Sequence, residues 1–402
     1  MARILLLSNG HGEDLSGALI GKALNQFDHE VDAFPLVGHG KSYLTTGIRV
    51  LGKTKEFSTG GLGYTTLSGR ITEIVQGQLV YLLGRLFNLL AVCSNYDLLV
   101  VIGDVVPVIA AWLTRLPVVT YLVAYSSHYE GKLKLPWLCA SCLSSKRFLG
   151  IYTRDQLTSD DLTIQLLRNV YFLGNPFMDS VLTNKSDLPN VMYRLGILPG
   201  SRRPELDENL LLILSVVELF SEARLSSSEI SFDLALVTSL GDEELKHLAS
   251  SKGWELIGSS QGSNPSQLVR NNCNINIHRN SFAKVLQCSD VLLSMAGTAT
   301  EQAVGLGKPV VQLVGYGPQF TDCFADAQRR LLGTTIFCGP GNAGEEVNFR
   351  STYKLILDLL ERSKYDSSLK KECKKQAKRR LGEGGGSKRI ANAITKLLVE
   401  YY

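Results

Sequence analysis

Short runs of consecutive apolar residues alternate along the chain with longer stretches in which apolar residues recur every three or four positions. Ile4–Ser8, Leu98–Ile102, Val118–Val123 and Tyr171–Leu173 are runs of the first kind. Being apolar on both faces, they read as buried strands of a parallel sheet. Leu15–Phe27 is of the second kind, with Leu15, Leu19, Ile20, Ala23 and Leu24 on one helical face. Polar residues dominate at Thr183–Met192, which reads as a linker. The alternation then restarts, with strands at Tyr193–Leu198, Phe232–Val237, Val291–Ser294 and Val310–Val314 and a helix at Leu206–Phe220. The pattern predicts two doubly wound α/β domains, in keeping with 402 residues.

Composition adds little until it is localised. The formal charge is +4, too mild to argue for a nucleic-acid partner. Residues 364–389 carry ten Lys or Arg against three acids, and Leu369, Cys373, Ala377 and Leu381 run as a thin apolar stripe through that basic helix. Gly382 and Gly384–Gly386 end it, and Ile390–Val399 forms a last amphipathic helix. The cysteines, with one Cys139-x-x-Cys142 pair, read as ordinary reduced thiols; no cluster has metal-ligand spacing, and neither metal nor cofactor is expected. No apolar run approaches the ~20 residues of a spanning helix, so a cytoplasmic location is expected. Ile71–Cys93 and Leu133–Leu143 are amphipathic. Each reads either as domain core or as a surface lying peripherally on an anionic membrane.

In doubly wound sheets, ligands sit beyond the carboxyl ends of the strands, and four such loops carry chemistry. Asn9–Asp14, continuing to Gly17, reads as a glycine-rich loop with Gly10, His11 and Gly12 before a helix. It offers close backbone approach and free amides, or is a plain strand-to-helix turn. Gly103-Asp104 ends the strongest strand; Asp104 is either a general base or a helix N-cap. Pro199-Gly200-Ser201-Arg202 follows the first strand of the second half, and Arg202 offers a bidentate fork to phosphate. Ser294–Ala303 places Gly297, Thr298 and Thr300 at a helix start suited to a pyrophosphate, with Gln302 one turn on for ribose.

Leu-Pro-Gly-Ser-Arg at 198–202 with Glu205, Gly-Asn-Pro-Phe-Met-Asp at 174–179 and Ala-Gly-Thr-Ala-Thr at 296–300 together resemble lipid-A-disaccharide synthase and its cyanobacterial-type related group. Asp14, Gly17 and Gly103-Asp104 match that family's first half. The resemblance implies a GT-B fold of two Rossmann-like domains with an active-site cleft between them. Residues 1–182 would bind an acceptor, 193–385 a nucleotide sugar, and 386–402 would form a helix packing back on the first domain. It implies an inverting glycosyltransferase moving a sugar from a UDP-linked donor to a lipid or lipid-linked acceptor. Asp104 would then be the base. Arg202 would be catalytic too, stabilising the departing diphosphate, and with Gly200, Ser201, Gly297, Thr298, Thr300 and Gln302 would hold the donor, while Gly10, His11, Gly12, Asp14 and Gly17 would face the acceptor. Two departures bear on this. Gln302 stands where the family has Glu, and Val123–Tyr129 replaces its aromatic acceptor segment. Gly317-Pro318-Gln319, with Ala325, Ala327 and Gln328, is closer to the related MurG and galactolipid synthase transferases, which implies Gln319 near the donor sugar. A UDP-N-acetylglucosamine 2-epimerase-like isomerase and a non-catalytic nucleotide-binding scaffold are the alternatives.

Overall fold

The computed structural model describes residues 1–52, 54, 78–182, 188–222, 229–258, 265–316 and 322–402. The chain forms two units, one of Met1–Ser180 with Gly382–Tyr402 and one of Val181–Leu381.

The first unit is built on strands β1 (Arg3–Ser8), β2 (Glu30–Pro35), β3 (Arg49–Val50), β4 (Leu98–Gly103), β5 (Val118–Leu122) and β6 (Phe148–Thr153). They form one parallel sheet in the order β3-β2-β1-β4-β5-β6. The strand order reverses between β1 and β4, so the crevice of a doubly wound sheet lies where those two strands end. β4 is buried along its whole length, which is why its sequence is an unbroken apolar run. Alternate residues serve two cores. Leu5, Leu7, Leu99 and Val101 pack under the helices Gln78–Val92, Val105–Leu113 and Trp137–Leu143. Ile4, Leu6, Leu98 and Val100 pack under His11–Asn25 and the last helix, Gly386–Tyr401, which contributes Ile390, Ala391, Ile394 and Leu398.

The strand expected at Tyr171–Leu173 is reduced to one bridge between Tyr171 and Tyr152; the sixth strand is Phe148–Thr153. Gly150 interrupts the apolar pattern there because a Cβ would lie 2.8 Å from Leu397 Cδ1 of the terminal helix.

The second unit holds β7 (Tyr193–Leu198), β8 (Ile230–Leu236), β9 (Glu255–Ile257), β10 (Gln267–Arg270), β11 (Cys273–Arg279), β12 (Val291–Ser294), β13 (Val310–Gln312) and β14 (Ile336–Cys338). The order is β14-β13-β12-β7-β8-β11-β10-β9, parallel except for the β9-β10-β11 antiparallel edge. Here the reversal falls between β7 and β12. Leu206, Leu210, Ile213 and Val217 recur at helical spacing and bury the helix Glu205–Glu222 against one face. The basic helix is Ser367–Leu381, whose stripe of Leu369, Cys373, Ala377 and Leu381 is buried.

Candidate functional site

The four loops nominated above fall in two pairs, one at each reversal. In the first unit β1 and β4 end side by side, with Ser8 opposite Ile102. The chain leaves β1 through Asn9 and Gly10 alone, because the helix starts at His11. The loop expected to run to Asp14 is therefore two residues long. Gly10 makes this sharp entry possible at φ 111, a conformation side chains oppose, and a Cβ there would meet the Val37 carbonyl at 3.1 Å. His11 and Gly12 thus lie in the first helical turn.

Glu13 and Asp14 follow on that turn. Asn9 N–H donates to Glu13 Oε2 at 2.9 Å, fastening the turn to the strand end. Asp14 is 3% exposed. Its carboxylate accepts from Ser8 Oγ at 2.6 Å, and Ser8 Oγ accepts from Tyr43 OH at 2.9 Å. Burial lifts the Asp14 carboxyl to about 6, against the Ser8 hydrogen bond. Gly17 leaves room for the Tyr43 hydroxyl, which a Cβ would strike. Asp14 and Gly17, expected on the acceptor side, belong to this buried network and brace the loop from beneath.

Asp104 caps Val105–Leu113, accepting from Val106 N–H at 3.0 Å, and stays partly exposed. Burial raises its carboxyl above the usual range, with backbone hydrogen bonds opposing. Glu13 lies beside it: a Cβ on Gly103 would fall 2.8 Å from Glu13 Oε2. The Glu13 carboxyl stands well above its ordinary range, first because it is buried and next because Asp104 is nearby. Sequence reasoning passed over Glu13. Its signal was an acid in the first turn, four residues after Asn9, able to reach back to that amide. Tyr125, after β5, is held up by burial and by the charges of Cys139 and Asp104.

In the second unit Leu198 of β7 lies opposite Ser294 of β12. Gly200, at φ 104, passes so close to the other loop that a Cβ would sit 3.1 Å from the Met295 carbonyl. Asn209 Nδ2 bridges the loops, donating to Pro199 O at 3.0 Å and Met295 O at 3.4 Å. Sequence reasoning missed Asn209 too; its signal was one buried polar position within an apolar helical stripe. The two neighbouring arginines differ. Arg203 is engaged with Asp207 at 2.7 Å and Glu244 at 2.7 Å. Arg202 and Ser201 are exposed, and their side chains have no hydrogen-bond partner among the described residues. The Gly297 and Thr298 amides likewise have no acceptor among the described residues, and nothing lies within 4 Å of where a Gly297 Cβ would stand.

Two donor-side expectations change. The Thr300 hydroxyl is fully buried, donates to Ala296 O at 2.6 Å and pairs with Ser294 Oγ at 2.7 Å. It fixes the helix start and has no surface for a phosphate. Gln302 is 3% exposed, which leaves little of it for a ribose. Gln319 lies outside the described residues.

Two Rossmann-like sheets, each reversing its order where two glycine turns meet, are the GT-B fold. No protein-family model and no curated protein matches the sequence. Solved structures match along nearly the whole chain. A Listeria monocytogenes protein assigned as a UDP-N-acetylglucosamine 2-epimerase aligns with TM-score 0.60 at 14% identity, covering 99% of this chain and 97% of that one. The spinosyn rhamnosyltransferase SpnG, complexed with thymidine diphosphate, gives 0.59 at 13% identity, covering 98% and 100%. The calicheamicin glycosyltransferase CalG4 gives 0.59 at 17% identity, covering 99% and 98%. At these identities the likeness is one of fold.

Proposed function

We propose that the chain transfers a sugar from a nucleotide diphosphate, UDP-linked, to a hydroxyl of a lipid or lipid-linked acceptor, as the resemblance to lipid-A-disaccharide synthase implies. The observation that carries this is the pairing of the Gly200 and Gly297 turns at the second sheet's reversal, with an exposed Arg202 that has no partner among the described residues beside an Arg203 already engaged. A diphosphate seated there receives the Gly297 and Thr298 amides, the Ser201 hydroxyl and the Arg202 guanidinium. These donors act most strongly as the sugar–phosphate bond breaks and charge gathers on the leaving group. In the first unit Asp104 takes the proton of the acceptor hydroxyl; its raised carboxyl makes it a stronger base than an ordinary aspartate. The lipid reading of the acceptor also includes peripheral attachment to an anionic membrane.

Thermal shift with UDP tests the donor half, since a ligand that binds only the native state stabilises it. UDP raises the Tm of the wild type. Arg202→Ala weakens binding by roughly 10- to 100-fold, the range for a lost charge-assisted hydrogen bond. No shift at millimolar UDP would remove the proposal.

One observation favours a second reading. The first unit brings Glu13 and Asp104 together, a carboxylate pair suited to the proton transfers of a sugar-nucleotide 2-epimerase. Incubation with UDP-N-acetylglucosamine alone separates the two, because an epimerase converts it without an acceptor.

A further inference from the structure

The helix Glu205–Glu222 breaks its own pattern once. Leu206, Leu210, Ile213 and Val217 form the stripe it buries, and position 209 falls at the edge of that stripe. An apolar side chain would serve the packing there, yet the residue is Asn209, 2% exposed. A buried amide costs free energy unless its hydrogen bonds are made. Asn209 makes two with one nitrogen. Nδ2 donates to Pro199 O at 3.0 Å and to Met295 O at 3.4 Å, one carbonyl from each loop of the second reversal. Both partners are acceptors, so the side-chain nitrogen is the atom that faces them. A third tie, from Met295 N–H to Leu198 O at 2.8 Å, closes the two loops on each other.

Carbonyls held in this way fix the amides that follow them. A trans peptide is planar, with its C=O and N–H on opposite sides. Pro199 O, drawn inward to Asn209, therefore turns the Gly200 N–H outward, and Met295 O does the same for the Ala296 N–H. Neither amide has an acceptor among the described residues, and those of Gly297 and Thr298, next along the second loop, have none either. The crossing is tight as well: a Cβ on Gly200 would stand 3.1 Å from Met295 O and 3.9 Å from Asn209 Nδ2. One loop cannot slide on the other without losing a bond to Asn209.

We propose that Asn209 is a positioning residue of the donor site: by holding Pro199 O and Met295 O inward, it aims the Gly200 and Ala296 amides, with those of Gly297 and Thr298, at the diphosphate of the donor. This role rests on the donor half of the transferase reading and adds to it the residue that sets the cradle in advance. Backbone N–H groups gathered in this way bind anions without a charged side chain. Amides already aimed at the place where charge gathers need no reorganisation when the sugar–phosphate bond breaks. Asn209 itself touches no ligand and acts through the two loops. Its loss is therefore felt by any diphosphate, whatever nucleoside is attached.

Calorimetry of the full-length protein, well below its Tm, with UDP and with inorganic pyrophosphate tests this role. The wild type binds both. Asn209→Leu, close in size but without a donor, weakens both by roughly tenfold or more, the scale of lost hydrogen bonds to a charged group. Ile213→Val, on the same buried face of the helix, lowers Tm and leaves both affinities unchanged. A residue that only braced the fold would behave as Ile213 does, lowering Tm while the folded protein binds as before. Where Asn209→Leu does not fold, Asn209→Ser, whose hydroxyl cannot reach both carbonyls, takes its place with the same result expected. Wild-type affinity in the folded variant overturns the role of Asn209 and leaves the transferase reading standing. A wild type that binds pyrophosphate and not UDP overturns the nucleotide reading and leaves the cradle to be judged on pyrophosphate. One that binds neither overturns both.

Discussion

At the scale of single residues, burial decides which candidates are free to act. Ser201 and Arg202 are exposed and Thr298 and Asp104 partly so, whereas Asp14, Thr300 and Gln302 are enclosed. Enclosure gives Asp14 a pH signature. Its carboxyl rises from an ordinary 3.8 to about 6 in the native state. The folded protein therefore binds the extra proton between those values, and stability is highest below pH 4 for this group and falls as pH rises through 6. Above that the ionised Asp14 costs on the order of 3 kcal/mol. Asp14→Asn, which still accepts from Ser8, is expected to raise the denaturation midpoint at pH 7.5 and to leave it unchanged at pH 4, measured by urea unfolding. Arg203 supplies a contrast to Arg202. Its pairs with Asp207 and Glu244 are at the surface and contribute little to stability. Arg203→Ala is expected to leave UDP affinity within about twofold of the wild type by calorimetry, a change small beside that of a lost phosphate contact.

At the scale of elements, the motif Gly174–Asp179 turns out to hold the chain's last helix in place. Asp179 accepts from the amides of Gly385 and Ser387 and from the Ser387 hydroxyl. Gly174 and Gly386 bring the backbones together so closely that a Cβ on Gly386 would lie 2.7 Å from Gly174 C. Asp179→Ala removes a cap and leaves these donors unpaired, a loss of about 2 kcal/mol. It is expected to lower Tm by roughly 4–8 °C, at 2–4 °C per kcal/mol for a unit of this size, and to loosen Ile390–Leu398 in hydrogen exchange. Much of this architecture was legible in the sequence. β1, β4, β5, β7 and β12 are apolar on both faces, and nothing but a covered parallel strand fits such runs. Phe148–Thr153 hid behind Gly150, whose meaning depends on Leu397 some 250 residues away. The β9-β10-β11 edge, partly exposed and rich in Asn and Arg, lacks that apolar density. The loops were legible as strand–glycine–helix junctions. That they meet in pairs depends on strand order, which no local pattern encodes.

At the scale of the whole molecule, two units each carry half of the proposed chemistry. The second sheet's reversal offers unfilled anion donors around Gly200 and Gly297, and the first sheet's reversal offers raised carboxyls at Glu13 and Asp104. The charge divides differently. On the helix Ser367–Leu381 the side chains of Lys370, Lys371, Lys374, Lys375, Lys378 and Arg379 stand off its buried stripe and are exposed. The central claim is that Asp104 deprotonates an acceptor hydroxyl while the second unit holds a nucleotide diphosphate. Its most direct test is release of UDP from a panel of UDP-sugars, with and without a membrane-lipid extract, by the wild type and by Asp104→Asn. Acceptor-dependent release by the wild type is expected to fall at least ~100-fold in Asp104→Asn, with UDP binding unchanged. Full turnover by Asp104→Asn, or conversion of a UDP-sugar with no acceptor present, would contradict it.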